Sequence, residues 1–179
     1  VAYDASSSDV AEITISITDA NDAPSAGADQ TGAVTEDATA TTATGTVAAS
    51  DADADSAFTY AIGTAAGTYG SLAIDSAGAW TYTIDNSAAA TTALDAGDTP
   101  TDAFTITVTE TDSSATDAMT VTITVTGADD AVSAGADQTG AVTEDATATT
   151  ATGTVAASDA DADSAFTYAI GTAAGTYGS

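Results

Sequence analysis

Residues 104–108, Phe104-Thr105-Ile106-Thr107-Val108, and residues 119–125, Met119-Thr120-Val121-Thr122-Ile123-Thr124-Val125, place a large apolar side chain at every second position with threonine between. A period of two is the signature of a strand with one buried and one solvated face, and threonine suits the outer face because its branched Cβ fits the pleat. The same alternation runs through Phe58, Tyr60 and Ile62, through Trp80, Tyr82 and Ile84, and through a leading segment with Ile13, Ile15 and Ile17. Shorter runs surround Val34, Val47 and Leu72 to Ile74, and Gly, Asp, Asn and Ser separate them. About seven strands result, and the spacing predicts an all-β domain, a seven-stranded antiparallel Greek-key β-sandwich of immunoglobulin-like type. An alanine-rich helical fold would need apolar residues at i, i+3, i+4 and i+7 with Glu–Lys pairing, and neither pattern is present.

Those strands stand in an unusual background. Of 179 residues 46 are alanine, and Val, Ile, Leu and Phe together make only 24, a composition that by itself resembles a disordered chain. There are 27 carboxylates and no lysine, arginine, histidine or cysteine, so the formal charge is −27. Disulfides, thiolate or imidazole metal sites, Ser-His-Asp and Cys-His nucleophiles and Schiff-base chemistry are therefore excluded. Nucleic acid and membrane insertion are excluded as well, for want of a cationic footprint and of an apolar run of membrane-spanning length. Oxygen chemistry remains, and carboxylate, hydroxyl and carbonyl oxygens suit hard cations such as calcium and magnesium.

Residues 25–71 recur without a change as residues 133–179, a period of 108. The first 24 residues align at the same offset with Thr109 to Val132, sharing Asp4/Asp112, Ile15/Ile123 and Asp22/Asp130. The chain accordingly divides into the C-terminal strands of one repeat (1–24), a complete repeat (25–132) and the N-terminal part of the next (133–179). The last part lacks counterparts of Trp80 to Ile84 and Phe104 to Val108, and is expected not to fold alone.

The acids thin out along the strands and gather in loops: Glu36-Asp37, Asp51-Ala-Asp53-Ala-Asp55, Asp95 with Asp98, Glu110 with Asp112, and the junctions Asp19-Ala-Asn21-Asp22 and Asp129-Asp130. Two carboxylates about 4 Å apart repel by roughly 4 kcal/mol at an effective dielectric near 20, so such clusters demand solvent or a metal. The Asp51, Asp53, Asp55 series opens like an EF-hand loop. Ser56 then stands where the turn glycine belongs and Ile62 where the bidentate glutamate belongs, so it is not one. Asp75, Asp85, Asp117 and Asp137 read as solvated turn residues. Trp80, Tyr60, Tyr82 and Phe104 suit a sugar-stacking platform in principle, but their alternation assigns them to the core.

Taken in order, Val47-Ala-Ala-Ser-Asp51-Ala-Asp53, Phe58-Thr-Tyr60-Ala-Ile62 and Asp19-Ala-Asn21-Asp22-Ala-Pro24 resemble the cadherin-like pattern of calcium-dependent tandem sandwiches. Gly67 to Asp75, Gly78 to Asn86, Leu94 to Thr99 and Phe104 to Val108 more narrowly resemble the VCBS repeat of large RTX-type bacterial adhesins. The resemblance implies calcium between successive repeats, bound by Asp4, Asp19, Asn21, Asp22, Glu36, Asp51 and Asp53 at the first junction. At the second it implies Asp112, Asp129, Asp130, Glu144, Asp159 and Asp161; apart from the resemblance, the clustering of Asp51, Asp53 and Asp55 marks Asp55, and its repeat counterpart Asp163, as further metal ligands. It further implies a secreted extender repeat at the bacterial cell surface, partnered by neighbouring repeats, for adhesion or biofilm, while the exact duplication of 47 residues points to interchangeable copies and not to an enzyme. Two alternatives stay open: a building block of a self-assembling filament or sheath of like chains, and a calcium-dependent carbohydrate-binding module.

Overall fold

In the computed structural model, residues 10–18, 20–53, 57–161, 165–173 and 175–176 are described. Seven strands form one sandwich: β1 (Gln30–Thr35), β2 (Thr42–Thr46), β3 (Phe58–Ile62), β4 (Gly70–Ile74), β5 (Ala79–Ile84), β6 (Thr101–Glu110) and β7 (Thr116–Thr126). One sheet has the order β1-β7-β6-β3, the other β2-β5-β4. Every pairing in the sandwich is antiparallel except β1 with β7, which run parallel from Gln30 beside Val121 to Thr35 beside Thr126.

The alternation in the sequence becomes the two faces of each strand. In β5 Trp80, Tyr82 and Ile84 are buried and Ala79, Thr81 and Thr83 exposed, while β6 and β7 send Phe104, Ile106, Val108, Met119, Val121, Ile123 and Val125 into the same core. Trp80, Tyr82 and Phe104 are thus core residues, with Tyr60 packed half-buried against them. Small residues make room for the largest one: a Cβ on Gly45 would stand 2.5 Å from the Trp80 ring. The indole Nε1 donates to Gln30 Oε1 at 2.8 Å, which satisfies its only polar group.

A buried carboxylate anchors the loop before β4. Asp102, 4 % exposed, accepts from the Tyr82 hydroxyl (2.8 Å), the Thr68 amide (2.7 Å) and the Tyr69 amide (3.1 Å). Gly67 lies against it, where a Cβ would collide with the carboxylate. Burial, reinforced by the Asp102 contact, pushes the Tyr82 phenol far above its ordinary value. At the β4–β5 turn Gly78 takes φ +81°, and Asp75 Oδ1 accepts from the Ala77 and Ala79 amides at 2.8 and 2.9 Å. Asp85 likewise closes its turn through the Ser87 amide and hydroxyl.

Two stretches depart from the strand expectation. Residues 10–18 form no strand, and Ile13, Ile15 and Ile17 are 80–92 % exposed. Their counterparts Val121, Ile123 and Val125 are buried because β1 and β6 flank them, and residues 10–18 have no such neighbours. Past Val132, the described residues carry only a two-residue pair, β8 (Ser133–Ala134) with β9 (Ala157–Ser158), matching the Ser25–Ser50 bridge of the sandwich. Val34 is 5 % exposed whereas the identical position Val142 is 60 % exposed, since nothing equivalent to β5, β6 or β7 covers it.

Candidate metal centre

The carboxylates converge where the incoming linker meets the sandwich. β6 keeps its inward phase through Phe104, Ile106 and Val108 to its last residue, so Glu110 turns inward and is only 2 % exposed. Register pairs Glu110 with Phe58 at the start of β3, and the loop leading into β3 carries Asp51 and Asp53. One carboxylate oxygen from each of Asp51, Asp53 and Glu110 lies within 4.8 Å of the other two.

Local hydrogen bonds hold this triangle open toward the linker. The Asp53 amide donates to Asp51 Oδ1 at 2.7 Å, an Asx-type turn that fixes the Asp-Ala-Asp loop. The Asp22 amide donates to Asp53 Oδ2 at 2.9 Å, and Asn21 Nδ2 donates to Glu110 Oε2 at 3.0 Å. Ser113, from the β6–β7 turn in which Ser114 takes φ +64°, donates its hydroxyl to the same Glu110 oxygen. Asp51 Oδ2 is buried and accepts no hydrogen bond. Three carboxylates this close repel one another by several kcal/mol, and the chain has no Lys, Arg or His to oppose them. A buried acceptor left open amid oxygen donors fits a calcium ion, which takes six to eight such ligands in a flexible shell.

A second acidic group forms at the opposite end of the sandwich. There the same clasp recurs one period later: the Asp130 amide donates to Asp161 Oδ2 at 2.9 Å and the Asp161 amide to Asp159 Oδ1 at 3.1 Å. Asp95, Asp129, Asp130, Asp159 and Asp161 line an open cavity of about 230 Å3 together with Val132, Ala165 and Phe166. Glu36 reaches this end from the preceding repeat; it is 3 % exposed and its Oε2 accepts from the Ala128 amide at 3.3 Å. Burial, then repulsion from Asp130, Asp37 and Asp161, raises the Glu36 carboxyl above its ordinary value. Asp130 is raised in the same direction by desolvation, then by Asp161, Asp37, Asp159 and Asp129.

Two expectations are corrected by this placement. Glu36 does not join Asp51 and Asp53: it follows β1, whose parallel register carries the chain to Thr126 at the far end of β7, so it belongs with the second junction. Asp112 does not join the second junction, because β6 runs back toward the linker and leaves Asp112 in the exposed β6–β7 turn beside the first. Glu144, the counterpart of Glu36, sits exposed in a turn of the following segment and does not line the second cavity. Asp4, Asp19, Asp55 and Asp163 lie outside the described residues. Glu110, which in the sequence stands only as an acidic neighbour of Asp112, enters the site, and the inward phase of β6 is the signal that marks it. Asp117, read as a solvated turn residue, fastens the linker instead: its Oδ2 accepts from the Ala26 amide at 2.9 Å, and that bond holds its carboxyl below the ordinary range.

Residues 21–127 match the family described as bacterial cadherin-like domain. No curated protein matches the chain.

Proposed function

The chain belongs to the bacterial cadherin-like domain family, and we propose that it is a calcium-stiffened extender repeat of a secreted bacterial adhesin or extracellular fibre. Family membership makes it an adhesion-type extracellular repeat in general terms. The observation that carries the finer reading is the convergence of Asp51, Asp53 and Glu110 on the linker residues Asn21 and Asp22, in a chain devoid of basic side chains. A bound calcium ion supplies the positive charge that this cluster lacks. Asp51, Asp53 and Glu110 would hold it through carboxylate oxygens, and the Asp22 amide orients Asp53 toward it. Asp95, Asp129, Asp130, Asp159 and Asp161, with Glu36 beside them, would serve the second junction.

In this proposal residues 1–24, 25–132 and 133–179 are successive parts of a tandem array of an RTX-type adhesin that holds a distal adhesive region away from the cell, a reading supported by the resemblance of its motifs to the VCBS repeat. Because Glu110 and Asp53 are hydrogen-bonded to the linker residues Asn21 and Asp22, calcium binding at this cluster would fix the linker against the domain and stabilise only the folded, docked state. Calorimetric titration of the chelated chain with calcium, with small-angle scattering before and after, tests this. The expected results are heat uptake or release that saturates, a higher thermal midpoint and a longer particle. Absence of binding, or binding with no change in either midpoint or length, refutes the strut.

A further inference from the structure

None of β1, β2 and β3 pairs with another of the three. β1 lies on β7, β2 on β5 and β3 on β6, so each depends on a strand from the second half of the repeat. Residues 138–170 reproduce residues 30–62 without a change, and the structure shows what that sequence does when those partners are taken. Val142, Val155, Tyr168 and Ile170 are 60–80 % exposed, whereas at the identical positions Val34 and Val47 are buried and Tyr60 and Ile62 half-buried. The chain thus carries two copies of one three-strand unit and, among the described residues, a single set of β5, β6 and β7 to receive it.

We propose that residues 138–170 are a spare unit that docks on β5, β6 and β7 in place of residues 30–62 of the same chain, so that the sandwich has two folding registers. Identity of sequence carries the choice of occupant. Each side chain that the core receives from the first copy is offered by the second, and Gly140 and Gly153 leave the Trp80 ring the room that Gly32 and Gly45 leave it now. The registers part in the loop 63–69: Ala65, Thr68 and Tyr69 stay with β4 in both, held to Leu72 and Asp102. Reach permits the exchange. β1 begins beside Val121, five strand residues or about 17 Å back from Thr126, and the twelve residues from Thr126 to Gln138 extend to about 40 Å. Reach also ranks the two registers. The first copy's linker is clasped through Ala26 to Asp117, Asn21 to Glu110 and Asp22 to Asp53. Asp117 lies nine residues, about 30 Å, back along β7. Ala134 stands eight residues after Thr126 and spans at most about 29 Å, so the second copy's linker does not renew that clasp. The clasp therefore selects the observed register, and the spare comes into use when residues 30–62 leave the sheets. A unit on the same chain prevails over one from a second copy because the tether replaces a bimolecular encounter.

The test places a charge in one copy or the other. Val34→Asp and Val142→Asp are made singly and together in the 179-residue chain, and followed by thermal melts, sedimentation velocity and amide hydrogen exchange. The changed residue gives otherwise identical peptides different masses. Val142→Asp should melt with the parent and exchange slowly at residues 30–35. Val34→Asp should stay monomeric and exchange slowly at residues 138–143. It should melt cooperatively at a midpoint roughly 10–20 °C below the parent, for the three linker bonds lost. The double variant should lose the cooperative melt and the slow exchange together. Rapid exchange at residues 138–143 in Val34→Asp, whether or not that chain melts cooperatively, overturns the proposal. So does slow exchange there confined to associated species, which would make the occupant a second copy.

Discussion

Replacing Glu110 by Gln changes the sign of its effect with the metal. The amide keeps the shape and an acceptor for Asn21 and Ser113, so the substitution removes little except charge. At separations up to 4.8 Å, each carboxylate pair repels by roughly 3–4 kcal/mol at an effective dielectric near 20. Asp51 and Asp53 are half-exposed, and solvent screening reduces the relief to about 1 kcal/mol. In excess chelator Glu110→Gln is therefore expected to raise the melting midpoint by about 4–8 °C, the shift that 1 kcal/mol gives a domain of this size. In calcium the order reverses. A site filled at a hundred times its dissociation constant adds about 2.7 kcal/mol to the parent, and loss of a charged, buried ligand removes most of it. Paired thermal melts by circular dichroism, in chelator and in millimolar calcium, read both arms. A variant that melts below the parent by the same amount in both buffers would show Glu110 acting only as a structural acceptor, and the reasoning would fail.

Further tests address the frame that positions this site. Gly45→Ala is expected to cost about 1–3 kcal/mol in chemical denaturation, because the new methyl meets the Trp80 ring at 2.5 Å inside a filled core. Tyr82→Phe removes one of three donors from the buried Asp102 carboxylate and should lower stability by about 1.5–3 kcal/mol, read the same way. The pH profile in chelator should pass through a maximum on the acid side of neutrality. Glu36 and Asp130 have raised folded values, so the folded state holds more protons and gains stability as pH falls through them; Asp117 and Asp85 have lowered values, and their contribution disappears as pH falls further. Midpoints that decline steadily from neutral pH downward would contradict the first half of that profile.

Strand positions were legible because the code is local: Phe104-Thr-Ile-Thr-Val and its neighbours state which side chain points inward without reference to any partner. The site was legible only in its loop half. Asp51 and Asp53 announce themselves by clustering, and the linker pair Asn21-Asp22 by its place at a repeat boundary. Glu36 and Asp112 lie at the opposite ends from those the family resemblance implies, because their placement depends on strand direction, which no local pattern records; for Glu36 the parallel course of β1 beside β7 decides it. The exact repeat supplies a control on this point. Identical residues give buried Val34 and exposed Val142, so the alternation encodes a readiness to pair, and burial arises only when the complementary strands are present.

The parallel β1–β7 pair bears on how a repeat responds to tension. Pulled from its two ends, the sandwich has β1 drawn toward Gln30 and β7 drawn toward Thr126, in opposite senses along one another. Their six register pairs are then loaded together in shear, whereas an antiparallel hairpin pulled from its open end unzips one bond at a time. The Ser25–Ser50 bridge lies outside that set, so its opening does not by itself load or break the β1–β7 pairs. Rupture of the repeat as a whole requires the β1–β7 bonds to fail nearly at once.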